Sequence, residues 1–159
     1  MAEAILGLGS NLGDKLGNIK NAIKSISLLP NTEIIAVSHF YETHPFMVPD
    51  DQDKYINACV KVFTKLSPHV LLGVCLGIEA SLGRERKYKY CSRNIDIDLL
   101  LYDSVVCCDN DLVLPHPGIK YRDFVMVPLS DICADLNFGI FDFSKEYKDI
   151  NLSNILKIN

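Results

Sequence analysis

No apolar run in this chain approaches the ~20 residues that a membrane-spanning helix requires, which excludes a helical membrane protein. No basic stretch precedes an apolar one at the N-terminus, so no secretory leader is indicated and a cytoplasmic protein is expected. The six cysteines include no CxxC pair, and most lie within apolar runs such as NACVKV and LLGVCLGI. They read as reduced thiols packed as small hydrophobes, indicating neither structural zinc nor a disulfide framework. Internal repeats, low-complexity tracts and linkers are missing too, and 159 residues fit one domain spanning 1–159. An excess of positive charge is also lacking. The formal charge is −4, whereas a nucleic-acid binder is usually basic over a whole face.

What is present is an ordinary globular composition, 48% hydrophobic and 23% charged, with one local anomaly. Arg84 to Arg93 (RERKYKYCSR) holds five basic residues and one acidic residue, in a chain that is otherwise strongly acidic. Such a segment suits a small, highly charged anion, or else is a solvated charged loop.

Periodicity and punctuation give an order of elements. Ala2 to Leu8 is a short apolar strand; Gly7, Gly9 and Gly13 mark a turn, and Leu16, Ile19, Ile23 and Ile26 line the apolar face of a helix over 15–29. Glu33 to Tyr41 reads as a second strand, the Pro- and Asp-rich 42–54 as a loop, and Tyr55 to Thr64 as a third strand. Ser67-Pro68 starts a helix that stops at Gly83. A strand over Asn94 to Tyr102 follows, then a turn at Asp103-Ser104 and a return through Val105 to Cys108. An extended LVLPHP piece, helix within 121–134 and a short helix near Ser153 complete the chain. The expected fold class is α+β: a ferredoxin-like βαββαβ core with an antiparallel-rich sheet, helices packed on it and appended C-terminal elements.

The fourth core strand carries an anomaly of its own. RNIDIDLLLY, residues 93–102, is apolar at nearly every position except Asp96 and Asp98. Alternation puts both aspartates on one face with Leu100 and Tyr102, and Ile95, Ile97, Leu99 and Leu101 on the other. The two carboxylates, with Cα atoms roughly 6.5–7 Å apart, repel unless a proton or a cation intervenes. Magnesium, often held by one or two protein carboxylates plus phosphate oxygens, would resolve the conflict. The alternative is the polar side of a half-exposed strand. Arg93 and the basic segment next to the pair favour a triphosphate, whose oxygens take metal ions and guanidinium groups together. GLGSNLGD does not match a phosphate-binding loop: it lacks the GK[ST] ending and the GxGxxG spacing. It reads as a strand-to-helix turn that places Ser10 and Asn11 near a site.

GSNLGD, FYETHP, DKYINACV, IEASLGRER, RNIDIDLLLY and LPHPGIKYRDFVMVPL, in this order, carry a specific resemblance. From about Ala4 to Leu136 the chain closely resembles the 6-hydroxymethyl-7,8-dihydropterin pyrophosphokinase family of folate biosynthesis. The resemblance implies transfer of the β,γ-diphosphate of ATP to the pterin hydroxymethyl group, releasing AMP. It implies ATP as co-substrate and two magnesium ions held between Asp96, Asp98 and the phosphates. Arg84 and Arg93 match catalytic arginines on the triphosphate, with Arg86 in the loop beside them. Glu79, Ile97, His116 and Arg122 match ATP-side positions; Thr43, Pro45, Phe46, Tyr55, Asn57 and Phe124 match the pterin pocket. The partners implied are small molecules, with no nucleic acid and no membrane; a monomer is expected, and association with other folate enzymes is left open.

The chain departs from the family pattern in three places. It has no tryptophan, and Tyr90 stands nearest the tryptophan often found in the family's basic loop. Phe46 and Met47 follow Pro45 where a glycine is common. Asp111 occupies a position that is basic in some members. Two other readings stand beside this one: a different magnesium-dependent phosphoryl or nucleotidyl transferase, and a ferredoxin-like RNA-binding module. Carboxylates on a central strand weigh against the RNA reading by repelling phosphate.

Overall fold

A nine-residue apolar strand that is buried nearly throughout must be covered on both faces, and β1 (Ala2–Ser10) is. In the computed structural model, which describes residues 1–85, 88–89 and 91–158, β1 runs between β4 (Tyr55–Thr64) and β5 (Asp96–Tyr102). β2 (Thr32–Val37) and β3 (Phe40–Thr43) pair with the two halves of β4, and every pairing in the sheet is antiparallel. Helices α1 (Lys15–Ser27) and α2 (Pro68–Ser81) cover one face through Ile19, Ala22, Ile26, Leu71, Cys75 and Ile78. Helix α3 (Asp123–Ile132) covers part of the other through Val125, Met126 and Leu129. The part of that second face left uncovered becomes the site. Among the described residues, no helix is long and apolar enough to cross a membrane.

Local chemistry explains the boundaries. Asp14 caps α1 by accepting the Gly17 N–H at 3.0 Å, and α2 has the expected proline in its first turn. Gly83 ends α2's last turn at φ +83°, a conformation that costs glycine no Cβ clash. The single strand expected over Glu33 to Tyr41 is two. At the break, the Ser38 hydroxyl accepts the Cys59 N–H at 2.8 Å and donates to the His39 carbonyl at 2.7 Å. A side chain thus replaces a main-chain ladder partner, which propensity does not reveal.

The short helix expected near Ser153 is instead a 3₁₀ turn, Leu152–Asn154, capped by Asn151, whose side chain accepts the Ser153 N–H. It leads into β10 (Ile155–Ile158), which adds to the edge of the main sheet beside β3. Between α3 and that turn come a small hairpin, β8 (Asn137–Phe138) with β9 (Phe141–Asp142), and α4 (Ser144–Lys148). After β5, β6 (Cys107–Cys108) and β7 (Val113–Leu114) form another short hairpin.

A β-bulge in β5 corrects the simple alternation. The register passes from Leu6↔Leu99 to Ile5↔Leu101, so Leu100 is an extra residue. Before the bulge, Ile97 and Leu99 face the α1/α2 core; after it, Leu101 points toward α3 and Tyr102 toward α1/α2. The Tyr102 hydroxyl then donates to the Leu66 carbonyl at 2.7 Å. Tyr102→Phe is therefore expected to lower unfolding free energy by about 1 kcal/mol, seen as a lower urea midpoint at constant m. An unchanged midpoint would place the hydroxyl in solvent.

Candidate active site

The site starts from missing side chains. On the face away from α1 and α2, β1 presents Gly7 and Gly9, with Cys59 and Asp98 flanking the first and Asn57 and Asp96 the second. A Cβ on Gly7 would stand 3.1 Å from Leu100 Cδ1, and one on Gly9 3.0 Å from Asn57 Oδ1. The glycines keep the sheet surface low, and a cleft of about 340 Å³ lies over it.

One side of the cleft is charged. Asp96 Oδ1 takes Arg84 Nη1 at 2.5 Å, and its Oδ2 takes Arg93 Nη1 at 2.7 Å. Arg84 Nη1 also meets Glu79 Oε2 at 2.5 Å, while Glu79 Oε1 accepts the Ile97 N–H at 2.7 Å. Glu79, almost fully buried near the end of α2, thus pins both β5 and Arg84. Asp98 has a looser partner, Arg122 Nη1 at 3.7 Å. Burial, with Asp96 beside it, pushes the Asp98 carboxyl up to about 7, against the pull of Arg122. Arg122 reaches this position past Gly118, where a Cβ would fall 2.7 Å from the guanidinium Nε.

His116 completes this side. Its Nδ1 accepts the Gly118 N–H at 3.0 Å, which leaves its proton on Nε2. Burial, reinforced by Arg122, holds the imidazole below its usual range. A neutral histidine with an Nε2–H donor is the result. Arg93 Nε is buried without a hydrogen-bond partner among the described residues, an unusual position for a donor.

The other side is aromatic, with the Arg122 guanidinium over the Phe124 ring at 5.7 Å. Tyr55 lies under the Arg93 guanidinium at 6.0 Å, and Phe124 packs against Phe46 at 6.0 Å with rings inclined by 56°. Asn57, which lines the same cleft, donates to the Thr43 hydroxyl at 2.7 Å, both residues being buried. Flat faces with an amide at the edge suit a planar heterocycle.

Buried Asn11 ties together the segments on either side. Its Oδ1 accepts the Arg93 N–H at 2.8 Å, and its Nδ2 donates to Gln52 Oε1 at 3.0 Å and to the Asp53 carbonyl at 3.4 Å. The Tyr88 hydroxyl donates to Asp50 Oδ2 at 2.6 Å, a second link between the same segments.

The family model described as 7,8-dihydro-6-hydroxymethylpterin-pyrophosphokinase (HPPK) matches residues 5–134. The chain belongs to this family. A 2-amino-4-hydroxy-6-hydroxymethyldihydropteridine pyrophosphokinase of Methylorubrum extorquens is 45% identical, over 87% of each chain. One of Haemophilus influenzae is 40% identical, over 86% of this chain and 84% of the relative. Among solved structures, a Plasmodium falciparum HPPK-DHPS protein superposes with a TM-score of 0.77 at 14% identity, which speaks to fold alone. That match covers 98% of this chain but 48% of the other, so the chain spans about half the length of the solved structures it matches.

Of the residues that the family resemblance singled out, Thr43, Phe46, Tyr55, Asn57, Arg84, Arg93, Asp96, Asp98, His116, Arg122 and Phe124 line the one cleft. Three lie outside its lining. Glu79 stands behind it, bound to Arg84 and the Ile97 amide; Ile97 turns its side chain into the α1/α2 core; and the cleft wall passes from His44 to Phe46 without Pro45. Arg86 and Tyr90 lie outside the described residues. Sequence reasoning missed Gly7 and Gly9 as the floor, taking them for turn residues. The signal was available, because both fall at alternate positions of an apolar strand.

A raised Asp98 pKa carries a sign for stability. Folding strengthens its hold on a proton, so the folded state loses stability as pH climbs from 3.8 toward about 7. Asp98→Asn removes that loss. In metal-free buffer its melting temperature is expected to match the parent below pH 4 and exceed it increasingly up to about pH 7, above which the gap is constant. A variant less stable than the parent at pH 8 would show Asp98 to be a stabilising carboxylate.

Proposed function

We propose that this chain, as a single domain over 1–159 with a ferredoxin-like core, transfers the β,γ-diphosphate of ATP to the hydroxymethyl oxygen of 6-hydroxymethyl-7,8-dihydropterin. The products are AMP and the pterin diphosphate, and the setting is folate biosynthesis in the cytoplasm. The observation that carries the reading is the make-up of one cleft: three guanidinium groups meet a carboxylate pair, and Tyr55, Phe124 and Asn57 line the same cleft.

The donor set fits magnesium. Asp96 and Asp98 are hard oxygen ligands on one strand face, and the high proton affinity of Asp98 marks a carboxylate short of positive charge. Two magnesium ions held there would neutralise phosphate oxygens and lower the barrier to an alcohol approaching an anionic phosphorus.

The protein's own groups supply the rest. Arg84 and Arg93, which neutralise Asp96 in the ligand-free chain, turn to the triphosphate when it arrives, and their planar forks suit its oxygens. Arg86 joins them from the same basic segment. His116 donates from Nε2 to the nucleotide, and Arg122 balances charge beside Asp98. Glu79 keeps Arg84 in place, and through the Ile97 amide holds the strand carrying both aspartates. The pterin ring stacks between Tyr55 and Phe124; Asn57, Thr43 and the 45–46 backbone read its edge. Holding both reactants in line converts a bimolecular encounter into an intramolecular one, the largest gain available without covalent chemistry. The chain acts as a monomer on small molecules, and the half-length match to an HPPK-DHPS protein supports association with a further folate enzyme.

Incubation with ATP, magnesium and the dihydropterin should release AMP, with other alcohols poor acceptors and chelation of magnesium stopping turnover; ADP or free pyrophosphate as the nucleotide-derived product would overturn the assignment. Asp96→Ala and Asp98→Ala should each lower kcat by at least about 100-fold, the scale of one lost charge-stabilising group, in a folded protein. Phe124→Ala should weaken pterin affinity about tenfold or more and leave ATP affinity alone, as read by calorimetry. The reverse pattern would put Phe124 in the nucleotide half.

A further inference from the structure

Outside the cleft, three side chains of different chemistry meet near the first turn of α2. His69 is the second residue of that helix, Cys107 opens β6, and Asp109 starts the connection to β7. Their ligating atoms lie within 4.8 Å of one another. His69 Nε2 stands 2.8 Å from Asp109 Oδ2, and Cys107 Sγ is 3.4 Å from the same oxygen. Tetrahedral zinc, with bonds of about 2.0–2.3 Å, needs ligand edges of roughly 3.3–3.5 Å. Sulfur and oxygen already meet that edge, nitrogen and oxygen are within about half an ångström of it, and nitrogen and sulfur lie within 4.8 Å.

The cluster is held by its backbone. Asp109 Oδ1 accepts the N–H groups of Asp111 and Leu112 at 2.9 and 2.8 Å, which favours the anion and leaves Oδ2 facing the other two groups. Cys107 is fixed by the β6–β7 ladder opposite Leu114, and His69 by a 14-residue helix. Without a metal, His69–Asp109 is a surface ion pair of about 0–1 kcal/mol, and the Cys107 thiol donates a weak hydrogen bond to the same carboxylate. A nitrogen, a thiolate and a carboxylate are together the ligand mixture that zinc accepts and magnesium does not.

We propose that His69, Cys107 and Asp109 form a zinc(II) site with three protein ligands and a fourth position open to solvent. On binding, the Cys107 S–H proton leaves to solvent as the metal–sulfur bond forms, and the His69 proton resides on Nδ1, freeing the Nε2 lone pair. The ion ties the β6–β7 hairpin to the start of α2. No residue of the cleft takes part, so the site stands or falls independently of the phosphotransfer reading.

Cobalt(II) is the probe, titrated into the reduced, chelator-treated full-length chain with excess magnesium to occupy carboxylates elsewhere. The expected result is a thiolate-to-cobalt charge-transfer band that saturates at one ion per chain and is abolished by one equivalent of zinc. Cys107→Ser should lose the band, Cys108→Ser should keep it, and His69→Ala should weaken cobalt binding at least tenfold. All three changes fall on exposed or half-exposed side chains, and unchanged circular dichroism confirms each fold. No thiolate band in the parent, a band persisting in Cys107→Ser, or unchanged affinity in His69→Ala would each overturn the proposal.

Discussion

Two carboxylates that share one strand face govern this molecule. At roughly 7 Å their repulsion is about 2 kcal/mol at an effective dielectric near 20, and burial increases it. The arginines answer it unequally. Asp96 receives two guanidinium groups, whereas Asp98 receives one, at 3.7 Å, and its proton affinity rises. The same two guanidinium groups, those of Arg84 and Arg93, also line the cleft. The site is therefore electrostatically uneven, and under the proposed function an anion and its metal would balance it.

Holding such a pair in place requires support from three directions. Glu79 reaches from α2 to the Ile97 amide, fixing β5 between the two aspartates, and grips Arg84 as well. Glycines in β1 leave the neighbouring surface bare, which opens the cleft down to the backbone of the central strand. The bulge at Leu100 ends the functional face abruptly: beyond it β5 turns Leu101 into the α3 core and sends Tyr102 to the opposite layer. One strand thus serves as active-site wall over its first half and as core over its second.

The proposed zinc cluster and the cleft are joined through β7, because Leu114, paired with Cys107, is two residues from His116. The six cysteines therefore do not form one class. Cys59 and Cys75 are buried, as expected of packing residues, while the half-exposed Cys107 faces a histidine and a carboxylate; burial pushes all three thiols up, in Cys107 together with the Asp109 carboxylate.

Much could be read from the chain alone wherever the physics is local or the spacing is specific. Ser67-Pro68 and Gly83 bound α2, β4 spans the expected 55–64, and the aspartate pair is evident as charge inside an apolar strand. Motif order identified the family, and most residues named from it do line one cleft. Contacts distant in sequence were beyond it. That the Ser38 hydroxyl would replace a ladder partner, that residues 155–158 would close the sheet edge, and that an extra residue would reverse alternation after Leu100 all depend on which strand lies opposite. Nor does any local pattern bring His69 to Cys107, 38 positions away. Composition and periodicity act along the chain, and they determined the elements and the chemistry available. Only packing, which brings distant segments within hydrogen-bond range, decided which carboxylate is satisfied, which arginine holds it and where the cleft floor lies open.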